Sequence, residues 1–308
     1  MLPASLIARL GELGRGPYLL VAVVVLIALE GIVARLARRK VDLPEEAASY
    51  GVGIGYFAIN VVAKNVLFLG AYVAVYERAR LFSWSIHSPW AWAAFLLLGD
   101  FVYYWTHRAE HEIRLFWAAH ETHHSARTYT FGTAVRMPWG EVLYLPIVGF
   151  WAPLLGFPPE MYPVVGAFNL LCGLLQHTEL VKTLGPLEWV FATPSHHRVH
   201  HGSDLEYLDC NYGARLILWD RLFGTFRAET KTPTYGLTTN LDTRNPLRIA
   251  THGYTALLHD LRRAPRWSDR LRYLFLPPGY RHDGPDESAR ARRARQAASH
   301  TPAQAPRV

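Results

Sequence analysis

Histidine is the residue type in this chain whose spacing points to chemistry. Of 15 histidines, ten lie between positions 107 and 201, nearly all in three dense clusters. In "HRAEH", His107 and His111 stand four apart, on one face of a helix. In "HETHH", His120, His123 and His124 stand at i, i+3 and i+4, which gathers three imidazoles, and "HHRVHH" repeats that spacing with His197, His200 and His201. Imidazole suits zinc, iron, copper and nickel, so ligand type does not choose the metal. Number says more. A catalytic zinc site uses about three protein ligands, whereas the eight clustered histidines suffice for two metal ions at once. Packing alone explains them poorly, because each buried imidazole would need a hydrogen-bond partner.

A second reading starts from the same residues. His120-Glu121-x-x-His124 fits the zinc-protease helix signature, with Glu121 as the base. An intramembrane zinc metalloprotease built on it leaves most other histidines idle, and a non-catalytic metal-binding membrane protein leaves all of them storing metal. Cys172 and Cys210 form neither a disulfide framework nor a Cys-x-x-Cys site. The formal charge of +7 accompanies no nucleic-acid motif and fits a membrane surface better.

The elements that must position these clusters are apolar. Residues 18–36, "YLLVAVVVLIALEGIVARL", are about long enough to cross a bilayer as a helix, carry one acid, Glu30, and are followed by the basic "ARRK". Residues 52–76 form a second apolar segment, with Lys64 needing a partner, and 89–105 a third, rich in aromatics, which continues into the first histidine cluster. "VLYLPIVGFWAPLLGF" and "MYPVVGAFNLLCGLL" flank "PPE", the expected tip of a helical hairpin, and since each is short for a full crossing a buried or re-entrant pair stays open. If Arg35, Arg38, Arg39 and Lys40 stay in the cytoplasm, alternate crossings bring every histidine cluster to the cytoplasmic side. The expected division is an N-terminal segment 1–17, a membrane-integrated unit 18–281 and a disordered basic tail 282–308, where large apolar residues are few.

"HRAEH", "HETHHS" and "HHRVHH", following apolar helices, resemble the three histidine boxes of the fatty acid hydroxylase and sterol desaturase superfamily. "LGPLEWVFATPSHHRVHHG" and "NYGARLILWDRLFGTF" are especially similar to its alkylglycerol monooxygenase branch, and the resemblance covers about residues 95–228. It implies an all-α, polytopic membrane helical bundle with a cytosolic histidine-rich metal-binding cap. The implied activity is non-haem diiron oxygenation, hydroxylation or desaturation, of a lipid that enters from the bilayer. Carried over residue by residue, the ligands are His107, His111, His120, His123, His124, His197, His200 and His201, with His177 in "LLQHTE" as a ninth. The cofactor is two iron ions, which zinc can replace on overexpression. His196 faces away from the box, and Glu112 and Asn211 are candidates to orient ligands from behind. Glu121 receives no role, and His87, His252, His259, His282 and His300 stand isolated. No dinucleotide fingerprint, haem domain or flavin motif is present. Electrons are therefore expected from a separate donor protein, or from tetrahydrobiopterin if the similarity extends to cofactor use.

Overall fold

The computed structural model of the chain describes residues 17–38, 41–62, 68–144 and 148–300. Arg39, Lys40, Lys64 and the 301–308 end of the tail lie outside the described residues. Every regular element among the described residues is helical, as the sequence implies. Extended segments pair only in single bridges, Phe191 with Leu216 and Gly202 with Tyr235.

Helix α1 (Pro17–Leu36) contains Tyr18–Leu36, the one described stretch long and apolar enough to cross a membrane, and most of its apolar surface is exposed. Its single acid is not left bare. Glu30 is buried, accepting from the Phe131 amide at 2.6 Å and from the Thr178 hydroxyl at 2.9 Å. Helix α2 (Leu43–Val62) starts before the second apolar run, because its two polar-looking acids are buried partners. Glu45 takes the Arg136 guanidinium at 2.5 Å and Glu46 the Thr130 hydroxyl at 2.8 Å. The run read as one segment over 52–76 thus contains the end of α2 and most of α3 (Leu69–Ala79), with 63–67 outside the described residues.

Helix α4 (Pro89–Glu112) opens on proline, whose missing N–H costs nothing in a first turn, and runs unbroken from the aromatic segment into His107 and His111. Ile113 is extended and turns the chain into α5 (Arg114–His124), which carries the second cluster. A short α6 (Phe131–Val135) and a 3-10 helix (Trp139–Leu143) follow. The first limb of the expected hairpin is not one helix. It is broken into pieces ending in α7 (Trp151–Leu154), where Pro153 fits only near a helix start and Gly156, at φ +82°, closes the turn against Phe82. The second limb is α8 (Met161–Gln176), ending at His177.

A 3-10 helix (Gly185–Trp189) leads to α9 (Pro194–His200), the third cluster, then α10 (Leu218–Phe223), α11 (Pro246–Arg263) and α12 (Trp267–Phe275). The tail departs from expectation: residues 289–300 form a helix, α13 (Ala289–His300). Alanine and arginine favour helix there, Ser288 and Ala289 are buried, and Arg293 donates to the carbonyls of Leu205 and Leu208.

Two cores grip α4 and α5. Near the start of α4, Phe95 stacks on Phe157 at 4.9 Å within a cluster that includes Phe68, Tyr72 and Met161. Behind α5, Ala118 packs with Leu257 and Tyr273 of α11 and α12. The helices touch at Gly253, where a Cβ would collide with the Ala118 carbonyl and Glu121. Midway along α4, Asp100 is 1 % exposed and accepts four hydrogen bonds: from the Arg215 amide and Nε at 3.0 Å each, the Leu216 amide at 3.1 Å and Trp219 Nε1 at 3.0 Å. Asp100→Ala strands those donors and the Arg215 charge, a loss of about 3–5 kcal/mol for a broken buried pair. The expected result is a clearly lowered melting temperature in detergent, with Asp100→Asn less affected. Unchanged melting of the alanine variant would show the hub to be dispensable.

Candidate metal centre

Three helices and one helix end bring nine imidazoles into one buried layer. The ligand-capable nitrogens of His107, His111, His120, His124 and His200 form one group, and those of His123, His177, His197 and His201 another, with all nitrogens in each group within 4.8 Å of one another. The i, i+3, i+4 spacing of α5 and α9 splits each box across both groups: His120 and His124 face one and His123 the other, while His200 faces one and His197 and His201 the other.

Backbone carbonyls set the rings' protonation. His107 Nδ1 lies 2.8 Å from the Tyr212 carbonyl, His200 Nδ1 2.9 Å from that of Cys210, His177 Nδ1 2.6 Å from that of Gly173, and His123 Nδ1 3.3 Å from that of Arg136. A carbonyl only accepts, so in these rings Nδ1 carries the proton and Nε2 is a bare lone pair. Those lone pairs point at each other. His177 Nε2 sits 3.1 Å from Nε2 of His123, His197 and His201, and His107 Nε2 sits 3.1 Å from that of His120. His111 Nε2 and His200 Nε2 are buried with no hydrogen-bond partner among the described residues. Inward-facing acceptors without enough protons between them fit a cation, and nine nitrogens in two groups fit a pair.

Burial, then the neighbouring imidazoles, pushes His107 down to about 3, and burial pushes His177 down to about 4. His120, His123, His124, His197, His200 and His201 are driven well below the usual range by the same causes. These rings are neutral at pH 7, the form that binds metal. An unfolded imidazole charges near 6.5, so the metal-free fold loses stability as pH falls from there toward the depressed values.

The loop carrying the Cys210 and Tyr212 carbonyls is itself pinned. Asp220, fully buried on α10, accepts from the Tyr212 and Gly213 amides at 2.7 and 2.8 Å. Asn211, at φ +57°, donates to the His196 carbonyl at 3.1 Å and accepts from the Arg227 amide at 2.8 Å. Asn211 thus acts on the acceptor loop and not on a ring. Glu112 pairs with Arg108 at 2.9 Å. His196 is buried with its ring against Phe226. Of the histidines isolated in the sequence, His252 Nε2 lies 3.2 Å from Glu121 and His282 Nδ1 2.9 Å from the Tyr273 hydroxyl.

Two carboxylates that the sequence alone did not single out reach the clustered rings. Glu110 Oε2 lies 3.3 Å from His120 Nδ1 and its other oxygen accepts from the Tyr144 hydroxyl at 2.5 Å. Asp209, at φ +52°, stands 3.6 Å from His111 Nδ1. Glu110 was visible inside "HRAEH", and helical spacing sets it apart from Glu112: it stands three residues after His107, whereas Glu112 stands four after Arg108, its partner. A cavity of about 750 Å³ opens beside the layer, lined by His111, His124, His200 and His201 together with Arg114 and Arg292.

Comparison with known proteins agrees with this geometry. Residues 92–225 match the family model described as fatty acid hydroxylase. Alkylglycerol monooxygenase of Homo sapiens is 40% identical over 213 residues, 69% of this chain and 47% of its own length. Ornithine lipid hydroxylase OlsE of Rhizobium tropici is 36% identical over 133 residues, 42% of this chain and 40% of its own. Lathosterol oxidase of Mus musculus is 27% identical over 185 residues, 56% and 57% respectively. The chain spans about half the length of the curated relatives it matches. No solved structure matches it.

Burial raises the Glu110 carboxyl to about 8, and Glu110→Gln keeps the size of the side chain while removing the group that can ionise behind His120. Losing a carboxylate behind a ligating histidine typically costs about 10–100-fold in metal affinity. Competition against a chelator, followed by metal analysis, should register that loss in the five-histidine group. Affinity equal to wild type would reduce Glu110 to a packing residue.

Proposed function

We propose, from the premise that the chain belongs to the fatty acid hydroxylase family, that it is a membrane-bound oxygenase holding two iron ions and acting on a lipid drawn from the bilayer. The observation that carries this reading is the convergence of nine imidazoles into two groups. His107, His111, His120, His124 and His200 would hold one ion, and His123, His177, His197 and His201 the other. Iron held there supplies the dioxygen chemistry that attacks an unactivated C–H bond.

The chain's own contribution is positioning. Carbonyls and carboxylates fix the ring orientations, burial keeps the imidazoles neutral, and the surrounding helices keep bulk water from the layer. Hydroxylation places one oxygen atom in the lipid and reduces the other to water with two electrons and two protons from the donor; desaturation takes two hydrogens from the lipid and, with the same two donor electrons and two protons, yields two waters. A separate donor protein or tetrahydrobiopterin supplies the electrons, and the polar cavity beside His111 and His124 is the side from which it approaches. The relatives are named for an alkylglycerol, an ornithine lipid and a sterol, so a glyceryl ether is the first substrate to try. Residues 18–281 form the working unit, a polytopic bundle whose apolar helices stand in the membrane under a histidine layer on the cytoplasmic side.

Protein produced with ample iron should carry nearly two iron equivalents per chain, and labelled dioxygen with an electron donor should place label in a glyceryl ether or another lipid. His123→Ala removes a ligand outright, so turnover should vanish while the protein still accumulates in the membrane. One tight zinc together with peptide cleavage would support the protease reading, and no label in any lipid with wild type and His123→Ala alike would falsify the oxygenase.

Orientation has its own check. A cysteine placed at exposed Arg290 should react with an impermeant reagent only from the cytoplasmic side. Reaction only from outside would invert the topology.

A further inference from the structure

Apolar exposure is not confined to the long helices. Between His177 and α9 the chain presents Leu184, Leu187, Trp189 and Phe191 to the outside, and α10 presents Leu218 and Leu222, with Trp189 69 % and Leu222 68 % exposed. These are not loose loops. Phe191 bridges to Leu216, the Ala192 amide donates to the Arg215 carbonyl at 2.8 Å, and the Ile217 amide to the Val190 carbonyl at 3.0 Å. Glu188 fixes the 3-10 segment from beneath by accepting from the Leu184 amide at 3.0 Å and the Ser195 hydroxyl at 2.9 Å. A rigid platform that keeps six large apolar side chains outside needs an apolar partner.

The platform continues the surface of α4. Trp219 meets Phe101 edge-on at 5.1 Å and Phe223 packs on Trp105 at 4.9 Å, so α10 lies against the side of the helix that leads to His107. On α4, Leu97, Tyr103 and Trp105 are exposed, and Phe168 and Leu175 are exposed on α8. The edge of the platform is basic. The Arg221 guanidinium lies 5.1 Å over the Trp189 ring and 3.9 Å over Phe226, and Lys182 is exposed beside it. Tryptophan with arginine and lysine at the rim of an apolar surface is the composition of a bilayer interface, where ring bodies sit among acyl chains and cationic ends meet anionic headgroups.

We propose that residues 184–191 and 218–222 form an interfacial anchor, seated in the headgroup–acyl boundary of the leaflet next to the histidine layer without crossing it. This rests on the membrane reading of the apolar helices given above. Thr193 and α9 follow directly on the platform, so the anchor fixes the height of His197 and His201 relative to the lipid.

The test is spin-label accessibility in the full chain, with Cys172 and Cys210 replaced by alanine, reconstituted in vesicles of phosphatidylcholine and phosphatidylglycerol. Labels are placed one at a time at Leu187→Cys, Leu222→Cys, Val25→Cys on α1 and Arg290→Cys on α13. At Leu187 and Leu222, collisions with oxygen should exceed those with a water-soluble nickel chelate severalfold relative to Arg290, as they should at Val25. If Val25 reads lipid while Leu187 and Leu222 match Arg290, the anchor is wrong and the membrane reading stands. If Val25 also reads water, both fall. Dipolar broadening at Leu222 that disappears on dilution with unlabelled chain would give the surface to a second copy and overturn the anchor.

Discussion

Nine ring nitrogens crowded into one buried volume with their lone pairs facing inward is the constraint on which the rest of the structure depends. Imidazoles tolerate that arrangement only if each is held by its far nitrogen and kept from charging. Both requirements fall on the protein around them. The Tyr212, Cys210, Gly173 and Arg136 carbonyls hold four rings, and each carbonyl belongs to a segment that is fixed for another reason.

Those reasons are polar hubs buried at helix crossings. Asp220 grips the 212–213 amides, Asp100 joins α4 to the 215–219 segment, and the Arg136–Glu45 pair ties α2 to the residue whose carbonyl meets His123. Arg198, 1 % exposed within the third cluster, spends its guanidinium on Glu229 and on the carbonyls of Thr178, Val181 and Lys182, which locks α9 to the strand of chain leaving His177. Buried ion pairs add little net stability over apolar packing, but breaking one leaves a charge stranded. Here they specify which residues stand behind which ring.

What could be read from the sequence was what helical periodicity carries. His107 with His111, and the two i, i+3, i+4 trios, are local patterns, and the resemblance to the histidine boxes added His177. What was not legible depends on contacts distant in sequence. Glu110 and Glu112 flank the same histidine; the i, i+4 spacing gives Glu112 to Arg108, but that Glu110 meets His120 and Tyr144 depends on contacts between elements. Glu121 and His252 appear unrelated in sequence and meet because Gly253 lets α11 approach α5. The arginine-rich tail has the composition of a disordered segment, yet helix propensity and the carbonyls of Leu205 and Leu208 order it through residue 300. The first hairpin limb is the reverse case: its apolar run is interrupted ahead of Trp151, and α7 ends before Gly156 turns the chain.

Glu30 has a consequence for how the molecule is made. Its carboxylate sits in the most apolar of the described helices, and two groups that bond it lie 101 and 148 residues downstream. During synthesis α1 emerges long before either partner exists, and an acid within an apolar helix is costly until it is paired. The helix can therefore form early but reaches its final seat only when Phe131 and Thr178 arrive, and Thr178 is the neighbour of His177. Seating of this apolar helix and completion of the histidine layer are two ends of one assembly step, and a chain truncated before residue 178 carries an apolar helix with an acid still awaiting that hydroxyl.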